Sequence, residues 1–197
     1  MCRLKFYSLV FYFSIGGAIT SCQKVITDKA ALFEYLTKTE HGLKKANVTN
    51  KIKVEVTYYP WQLVEQNQNK RVQKEVERGF ADKCYFVLAF SANGKELLRQ
   101  LPYSEYSEMV QVFSFRMQPN ISIVTDAGKK VEAQDCLFEQ TYGMGKENEL
   151  LIVFDKRKLQ DATTLKLRIK EFGLNIGNQD FQIRVKDIND MPEIKII

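Results

Sequence analysis

Residues that bind metals or act as nucleophiles are scarce in this sequence. The 197 residues include a single histidine, His41, and four cysteines, none of them in a Cys-X-X-Cys arrangement. One histidine argues against a histidine-rich metal site and against most catalytic triads, because a triad needs a base together with a nucleophile and an orienting group. We therefore predict no cofactor and no metal site. His41 precedes Gly42, and we predict that it interacts with the C-terminus of a helix.

Long runs of like charge are also missing. The chain carries 29 basic and 24 acidic residues, a net charge of +5, and the two signs are interspersed. Because nucleic-acid binding depends on concentrated positive charge, we predict no nucleic-acid partner. The composition is 45% hydrophobic and 12% aromatic, which supports a packed core rather than disorder.

No apolar run reaches the length of a membrane-spanning helix, which takes about 20 residues. The apolar stretch near the start, residues 6–19, contains 14 residues and follows two cations, Arg3 and Lys5. A positive start, a short apolar segment and small residues before a cleavage site are typical of a secretory signal. We predict that residues 1–21 are a signal peptide removed on export.

The predicted signal ends in an aliphatic residue, two small residues and a cysteine: Ile19, Thr20, Ser21 and Cys22. This ending resembles the lipobox of bacterial lipoproteins. The resemblance implies that Cys22 is acylated and becomes the first residue of the mature chain, with residues 22–27 as a tether and residues 28–197 as a single β-rich domain. Several acyl chains give a stable anchor. We therefore expect an exported protein anchored by lipid at a bacterial membrane, the outer membrane, on its periplasmic or surface face.

Two further cysteines, Cys84 and Cys136, lie in segments with strand-like patterns. A pair of cysteines outside the cytoplasm often forms a disulfide. Two buried free thiols fit the same pattern equally well, since free cysteine behaves as a small apolar residue. The sequence leaves both alternatives open.

Helical patterns occur in the N-terminal half of the chain. Apolar residues recur at three- and four-residue spacing after Asp28, which predicts a helix that Thr27 or Asp28 caps and Gly42 ends. A second helical stretch is predicted over residues 61–81, which are rich in Lys, Glu and Gln. Between them, residues 47–50 predict a turn-rich link.

Short segments of β-forming residues, separated by turn signals, fill the rest of the chain. Residues 84–90 and 150–154 are continuous apolar runs, which predicts two interior strands with Phe86 and Phe154 in the core. The remaining predicted strands cover residues 52–58, 109–117, 121–125, part of 131–142, 165–169, 181–185 and 193–197. The pattern predicts an α+β fold, an antiparallel β-sandwich-like domain with two helical stretches in its N-terminal half.

Several short motifs follow one another along the mature chain. They are His41-Gly42-Leu43, Val56-Thr57-Tyr58-Tyr59-Pro60, Leu63-Val64 with Gln66, Tyr85-Phe86-Val87-Leu88, Asn93-Gly94-Lys95-Glu96, Phe113-Ser114-Phe115-Arg116-Met117, Thr141-Tyr142-Gly143-Met144, and Phe172-Gly173-Leu174 with Gly177 and Phe181. In this order they resemble a family of exported bacterial lipoproteins of unknown function. The chain departs from that family at His41, where asparagine is expected, and at Tyr59, where a basic residue is expected. The resemblance implies a lipid-anchored exported domain and transfers no activity.

Two groups of residues resemble parts of binding sites. Tyr58, Tyr59 and Trp61 cluster around Pro60, where they would stack a sugar or anchor a partner, although at a strand-to-helix corner we predict a core boundary. Residues 143–145, Gly-Met-Gly, lack the further glycine and the strand-to-helix context of a phosphate cradle. We predict that they form a loop with positive φ.

Residues 187–193, Asp-Ile-Asn-Asp-Met-Pro-Glu, look like the calcium-linker motif of cadherins. Clustered oxygen ligands suit calcium. The other ligand motifs of a cadherin site have no match here, so we predict a capped turn between the last two strands and a stability that does not depend on calcium.

A carboxylate pair of the kind used in glycoside hydrolysis is the main catalytic alternative. The candidate acids are Glu65, Glu75, Glu77, Asp126, Asp135 and Glu139. The separation of the two carboxyl groups determines that mechanism, and sequence spacing does not measure it.

The sequence as a whole favours a lipid-anchored cell-envelope protein with a non-catalytic binding or assembly role. Its partners would be the membrane, through lipid at Cys22, and an envelope protein or polymer. The alternative is an exported hydrolase that uses a carboxylate pair. Secretion from a eukaryotic cell would instead make Asn47 and Asn120 glycan acceptors, but the resemblance to a lipobox argues against it.

Overall fold

A computed structural model of the chain describes residues 25–64 and 79–195. The fold is α+β with antiparallel sheets, as the sequence predicts, and one hydrophobic core contains side chains from the two larger sheets. The strands are β1 (Val25–Ile26), β2 (Lys44–Thr49), β3 (Ile52–Tyr59), β4 (Lys83–Ala92), β5 (Lys95–Glu96), β6 (Ile121–Thr125), β7 (Lys130–Glu132), β8 (Asp135–Phe138), β9 (Asn148–Asp155), β10 (Thr164–Ile169), β11 (Gln179–Arg184) and β12 (Glu193–Ile194).

Helices are short and lie between the strands. The α-helices that the structure describes in full are α1 (Lys29–Thr37), α2 (Trp61–Val64), α3 (Tyr103–Gln111), which continues as a π-helix over Val112–Arg116, and α4 (Val185–Asn189). Residues 79–81 are also helical. Turns of 3₁₀-helix cover Thr39–His41, Leu97–Gln100, Gln118–Asn120 and Lys156–Leu159. Among the described residues, no helix is long and apolar enough to cross a membrane.

The strands form two larger sheets and one small sheet. The six-stranded sheet has the order β2-β3-β4-β9-β8, with β5 paired to the end of β4. The four-stranded sheet has the order β11-β10-β6-β7. In the small sheet β1 and β12 run parallel, with Val25 opposite Glu193 and Ile26 opposite Ile194.

The inner face of the six-stranded sheet carries the largest part of the core. Phe86, Phe90 and Phe154 are fully buried there, and the rings of Phe86 and Phe154 meet edge to face with centroids 6.0 Å apart. Both residues were predicted to be core residues, and the prediction is confirmed. Phe90 contacts Phe113 of the π-helix at 5.1 Å between ring centroids, so the helical segment lies against this face.

The first helix forms as predicted because its start is capped. Asp28 adopts an extended backbone and its carboxylate accepts a hydrogen bond from Ala31 N at 3.0 Å. Leu32 and Leu36 face inward and build a second, smaller core with Leu43 and Leu63. The α-helix ends at Thr37, and Gly42 ends the following 3₁₀ turn with φ 71°.

The predicted strand over residues 109–117 is wrong, because this segment is helical. The buried side chains are Met109, Val112, Phe113 and Met117, at helical spacing, whereas Phe115 is 84% exposed. The apparent alternation of apolar residues is a by-product of a helix that is apolar on one side. The contact between Phe113 and Phe90 stabilises this segment as a helix.

Two other parts of the chain differ from the predictions. The predicted link over residues 47–50 is wrong, since Asn47 and Thr49 belong to β2 and the turn lies at Asn50 and Lys51, both with positive φ. Residues 131–142 contain parts of two strands, β7 and β8, which belong to different sheets.

The N-terminal end of the described chain is held by strand pairing. β1 lies inside the stretch predicted as a tether, and Lys195 N donates to Ile26 O at 2.9 Å. Of the second predicted helical stretch, the structure describes α2 and residues 79–81, and residues 65–78 lie outside the described residues.

Candidate binding groove on the outer sheet face

Three rows of side chains cross the outer face of the six-stranded sheet, opposite to the core. Since side chains alternate along a strand, residues in register on neighbouring strands share a face. The aromatic row contains Tyr59, Tyr85, Val153 and Asp135; the aliphatic row contains Thr57, Val87, Leu151 and Leu137; the acidic row contains Glu55, Ala89 and Glu149.

Three adjoining cavities follow these rows and together form the outer groove. A cavity of about 180 Å³ lies beneath α1 and is lined by Phe33, Lys44, Glu55, Tyr59 and Glu149, among others. A second, of about 410 Å³, shares Tyr59, Val87 and Glu149 with the first. A third, of about 540 Å³, shares Val64, Leu137 and Leu151 with the second. The shared residues make the groove continuous from α1 to the edge strand β8.

The floor of the outer groove is mainly apolar. Val87, Leu151 and Val153 are partly buried, and Leu137 on the edge strand is 53% exposed. One wall is formed by α2 through Leu63 and Val64, which line the second cavity. Phe33 of α1 overhangs the other end, with its ring centroid 6.2 Å from that of Tyr59.

Glu55 is a buried carboxylate that is already neutralised. Lys44 Nζ lies 2.8 Å from Oε1 and Lys53 Nζ lies 2.5 Å from Oε2, while the residue is only 6% exposed. Burial alone would raise the pKa of Glu55, but the hydrogen bonds and charges of the two lysines outweigh it and lower the pKa. Both oxygens are therefore occupied within the protein.

Glu149 lies in the same row and behaves in the opposite way. Desolvation raises the pKa of its carboxyl, the charge of Glu147 raises it further, and the charge of Lys44 offsets only part of this. Glu139 follows β8 directly and lines the same cavity as Glu149. The acid-rich part of the groove thus lacks sufficient positive charge from the described residues.

The predicted aromatic cluster is divided between two environments. Tyr58 packs against both hydrophobic cores, with its ring centroid 5.8 Å from that of Phe86. Tyr59, the next residue, faces the outer groove. Alternation along β3 places Tyr58 and Tyr59 on opposite faces of the strand. Tyr59 also packs against the smaller core, so both tyrosines lie at a core boundary, and a ligand contact at Tyr59 stays a prediction.

His41 takes part in stacking. Its ring lies parallel to that of Tyr35 with centroids 3.7 Å apart and an interplanar angle of 14°. It ends the 3₁₀ turn before Gly42, close to the predicted helix terminus. Neither His41 nor Tyr35 lines the outer groove.

The loop around Gly143, Met144 and Gly145 binds a carboxylate of its own chain. Thr141 Oγ1 and Gly145 N donate to Glu96 Oε1 at 2.5 and 2.8 Å, and Gly143 N donates to Oε2 at 2.8 Å. Burial of Glu96 would raise its pKa, but these hydrogen bonds lower it. Gly143 has φ 89°, as predicted for this loop.

The acidic stretch lies between the last two strands as predicted, but it begins as the helix α4, which has no side-chain cap, and only the residues after Asn189 form a turn. Asp187 accepts from Arg184 at 2.9 Å (Nε to Oδ2) and 2.7 Å (Nη2 to Oδ1). Its side chain also packs against Gly42, where an added Cβ would collide with it. Within the described ranges, no group of three or more His, Cys, Asp or Glu side chains is placed to hold a metal ion.

The remaining predicted acids are dispersed. Asp126 accepts hydrogen bonds from Thr163 N and Oγ1 at 3.1 and 2.6 Å, away from the groove. Asp135 and Glu139 line different cavities of the outer groove. Glu65, Glu75 and Glu77 lie outside the described residues. Glu55 and Glu149 were missed, since only the strand register places them on one face.

Cys84 and Cys136 are free thiols on either side of β9, with Cys84 opposite Phe154 and Cys136 opposite Ile152. Burial raises the pKa of each to about 12. Because the thiolate is the reactive form, both groups are poor nucleophiles. Cys22, the predicted lipidation site, lies outside the described residues.

No protein-family model, curated protein or solved structure matches this chain.

Proposed function

We propose that the protein is a lipid-anchored component of the bacterial cell envelope, and that its outer groove binds a partner without catalysing a reaction. The observation that supports this role is the continuous groove with an apolar floor across the outer face of the six-stranded sheet. Contiguous exposed apolar surface with a polar rim is typical of an interaction site.

The anchor would hold the groove close to the membrane. Cys22 precedes β1 by three residues, which span at most about 10 Å when extended. Ile26 of β1 packs against the smaller core that contains Leu63, and Leu63 also lines the groove. An acylated Cys22 would therefore keep the partner within reach of the membrane surface.

Acylation is tested by metabolic labelling of the full-length chain with a fatty acid in a bacterial host. We expect label on the wild type and none on Cys22→Ala. Cys2→Ala is the matched control and should retain the label. Equal labelling of wild type and Cys22→Ala would contradict the anchor.

Binding through the groove is tested by photo-crosslinking in the same host. A photoreactive benzoylphenylalanine replaces Leu137, which is 53% exposed, or Val48 of β2, which is 68% exposed and lines none of the three cavities. We expect a discrete crosslinked species from position 137 that disappears in the Leu151→Asp background, and none from position 48. Equal crosslinking at both positions, or none at 137, would contradict a groove-specific partner.

A hydrolase is the second candidate, favoured by one observation. Glu55 and Glu149 flank Ala89 on one face, with pKa values shifted in opposite directions. Two strand spacings separate their Cα atoms by about 9.5 Å, and both residues line the cavity beneath α1. Lys44 and Lys53 occupy both oxygens of Glu55, which makes it a weak base, so this candidate ranks second.

The hydrolytic activity of Glu149→Gln separates the binding role from the hydrolase. A general acid is essential, and its removal typically costs about 10²–10⁴-fold in rate. Binding without catalysis predicts no turnover of envelope polysaccharide by the wild type. Turnover that Glu149→Gln abolishes and Glu132→Gln leaves intact would establish the hydrolase.

A further inference from the structure

The edge strand β8 presents a regular pattern on the outer face of the sheet. Asp135 and Leu137 lie in register with Val153 and Leu151, and Glu139 follows two residues later. All three side chains are exposed, whereas Cys136 and Phe138 between them pack against the core. The outer face of β8 therefore alternates acid, apolar residue and acid.

The other edge of β8 is open to pairing. β8 ends the strand order of the six-stranded sheet, and among the described residues no further strand pairs with it. An open edge offers backbone N–H and C=O groups to an added strand, and pockets on the face then select its alternate side chains. Cys136 N of β8 donates to Asp135 Oδ1 at 2.8 Å, and an added strand would replace this hydrogen bond and leave the Asp135 carboxylate for a cation.

We propose that the groove and the β8 edge bind an extended peptide segment of a partner protein with the pattern Lys/Arg-X-apolar-X-Lys/Arg. Such a strand would set its apolar side chain beside Leu137 and its two cations beside Asp135 and Glu139, because cross-strand neighbours share a face. The inference rests on the proposed binding role and specifies its partner.

Charge distinguishes this occupant from others. Glu139, Glu147 and Glu149 line the cavities next to the apolar floor, and the nearby Lys44 is engaged by Glu55. Anionic lipid headgroups and nucleic acids would meet an excess of like charge there. Lys83 lines the third cavity together with Asp135, and its Nζ donates to Gln134 Oε1 at 2.6 Å. Desolvation and then the charge of Glu147 raise the pKa of Glu149, and a cationic side chain bound nearby would offset the second of these causes.

Charged residues on an edge strand also prevent uncontrolled pairing. That protective role alone predicts that no peptide binds at β8. Leu137 argues against a purely protective role, since an exposed leucine between the two acids weakens the protection of the edge. The experiment below separates the two readings.

Binding is measured by fluorescence anisotropy with the full-length chain in nanodiscs of zwitterionic lipid, which do not attract charged peptides. Three labelled nonapeptides share a central Thr-Val-Thr flanked by Lys, Gln or Glu. We expect the Lys peptide to bind about tenfold more tightly than the Gln peptide, since each exposed charge pair contributes up to about 1 kcal/mol, or about fivefold. The Glu peptide should bind more weakly than both.

Four controls make the result specific. Asp135→Asn combined with Glu139→Gln should remove the preference for Lys, whereas Glu132→Gln on β7 should retain it. Leu137→Asp should weaken the Gln peptide at least tenfold. A Lys peptide with N-methylated backbone amides should bind at least tenfold more weakly, because it loses donors for pairing.

The outcomes separate this inference from the proposed role. Equal binding of the Lys and Gln peptides, lost in Leu137→Asp, would leave the groove as a binding site and overturn the charge pattern. No binding of any peptide would overturn the inference, while crosslinking at position 137 would still decide the binding role. Binding that arises only after a Gly/Ser linker replaces residues 65–78 would identify this chain's own segment as the occupant and overturn a partner peptide.

Discussion

The two faces of the six-stranded sheet are built from alternate residues of the same strands, yet they differ in how completely they are covered. On β4 and β9 the inner face presents Phe86, Leu88, Leu150 and Phe154, all fully buried. The outer face of these strands presents the buried Tyr85 and Ala89, but also Val87 and Leu151, which are only partly covered, with Glu149 beside them. The inner face holds the molecule together, and the outer face retains apolar surface that is available for recognition.

The comparison also concerns charge. The inner core is apolar, so its stabilisation depends on packing and not on pH. The outer face contains two carboxylates in one row: Glu55 is satisfied by Lys44 and Lys53, and Glu149 is not. Both oxygens of Glu55 are paired within the protein, whereas desolvation and the charge of Glu147 both disfavour the ionised form of Glu149, which a cationic partner would favour.

Truncating the inner face should have the largest effect. Phe86→Ala or Phe154→Ala leaves a cavity beneath a fully buried ring, which typically lowers the free energy of unfolding by about 3–5 kcal/mol. A domain of this size is stable by only about 5–15 kcal/mol, so either variant should be marginal. The urea midpoint measures this. Phe80→Ala is the control, because Phe80 is partly exposed at the groove wall, and a larger shift for it than for both core variants would contradict the inner-face core.

Removing the satisfied carboxylate should have the next largest effect. Glu55→Gln deprives two lysines of their partner, and we expect a loss of about 1–2 kcal/mol at pH 7. The pKa of Glu55 is lowered on folding, so its contribution is fully present above the ordinary value of 4.5 and is lost as the pH falls through the folded value. Unfolding free energies of wild type and variant should converge as the pH falls below 4.5. Glu132→Gln, a change at an exposed ion pair, is the control and should lower the free energy of unfolding by a few tenths of a kcal/mol. If the free energies of unfolding of Glu55→Gln and the wild type differ by the same amount at every pH, the stabilising role of the ionised Glu55 is contradicted.

The other carboxylate of the row should respond with the opposite sign. The pKa of Glu149 is raised on folding, so its ionised form opposes folding, and this cost appears as the pH rises through and above the ordinary value of 4.5. The carboxyl is partly desolvated in the groove, but the residue keeps access to solvent, which reduces the effect. Glu149→Gln should therefore raise stability at pH 7 by only a few tenths of a kcal/mol. Chemical denaturation at pH 7 and pH 4 tests the sign; destabilisation at pH 7 would show that Glu149 has a stabilising partner.

Much of the inner face was predictable from the sequence, because uninterrupted apolar runs at residues 84–90 and 150–154 specify interior strands on their own. The helix that contains Phe113 was not predictable, because its apolar residues fit both the two-residue period of a strand and the 3.6-residue period of a helix. Only the contact with Phe90 decides between the two. β2 was missed because Asn47 resembles a turn residue until its pairing with β3 is known.

The outer groove was not predictable for a different reason. Glu55 and Glu149 are far apart in sequence, and they share a row only because β3, β4 and β9 are neighbours in a specific register. Local patterns contain neither the strand order nor the register. Tyr59 was recognised as an aromatic candidate from sequence, but its separation from Tyr58 onto the other face follows from the register alone.

The smallest effect on stability should accompany the largest effect on binding. Leu137→Asp changes an exposed side chain on the edge strand, so its free energy of unfolding should stay within about 0.5 kcal/mol of the wild type. The same change places a charge on the floor of the outer groove, where the apolar side chain of a partner would lie.

The central claim is therefore tested most directly by measuring unfolding and peptide binding on one preparation of Leu137→Asp beside the wild type. We predict an unchanged urea midpoint together with at least a tenfold loss in affinity for the Gln-flanked peptide, whose binding the added charge does not favour. An unchanged affinity, or a midpoint that falls as far as that of Phe86→Ala, would contradict the division of the sheet into a structural inner face and a recognising outer face.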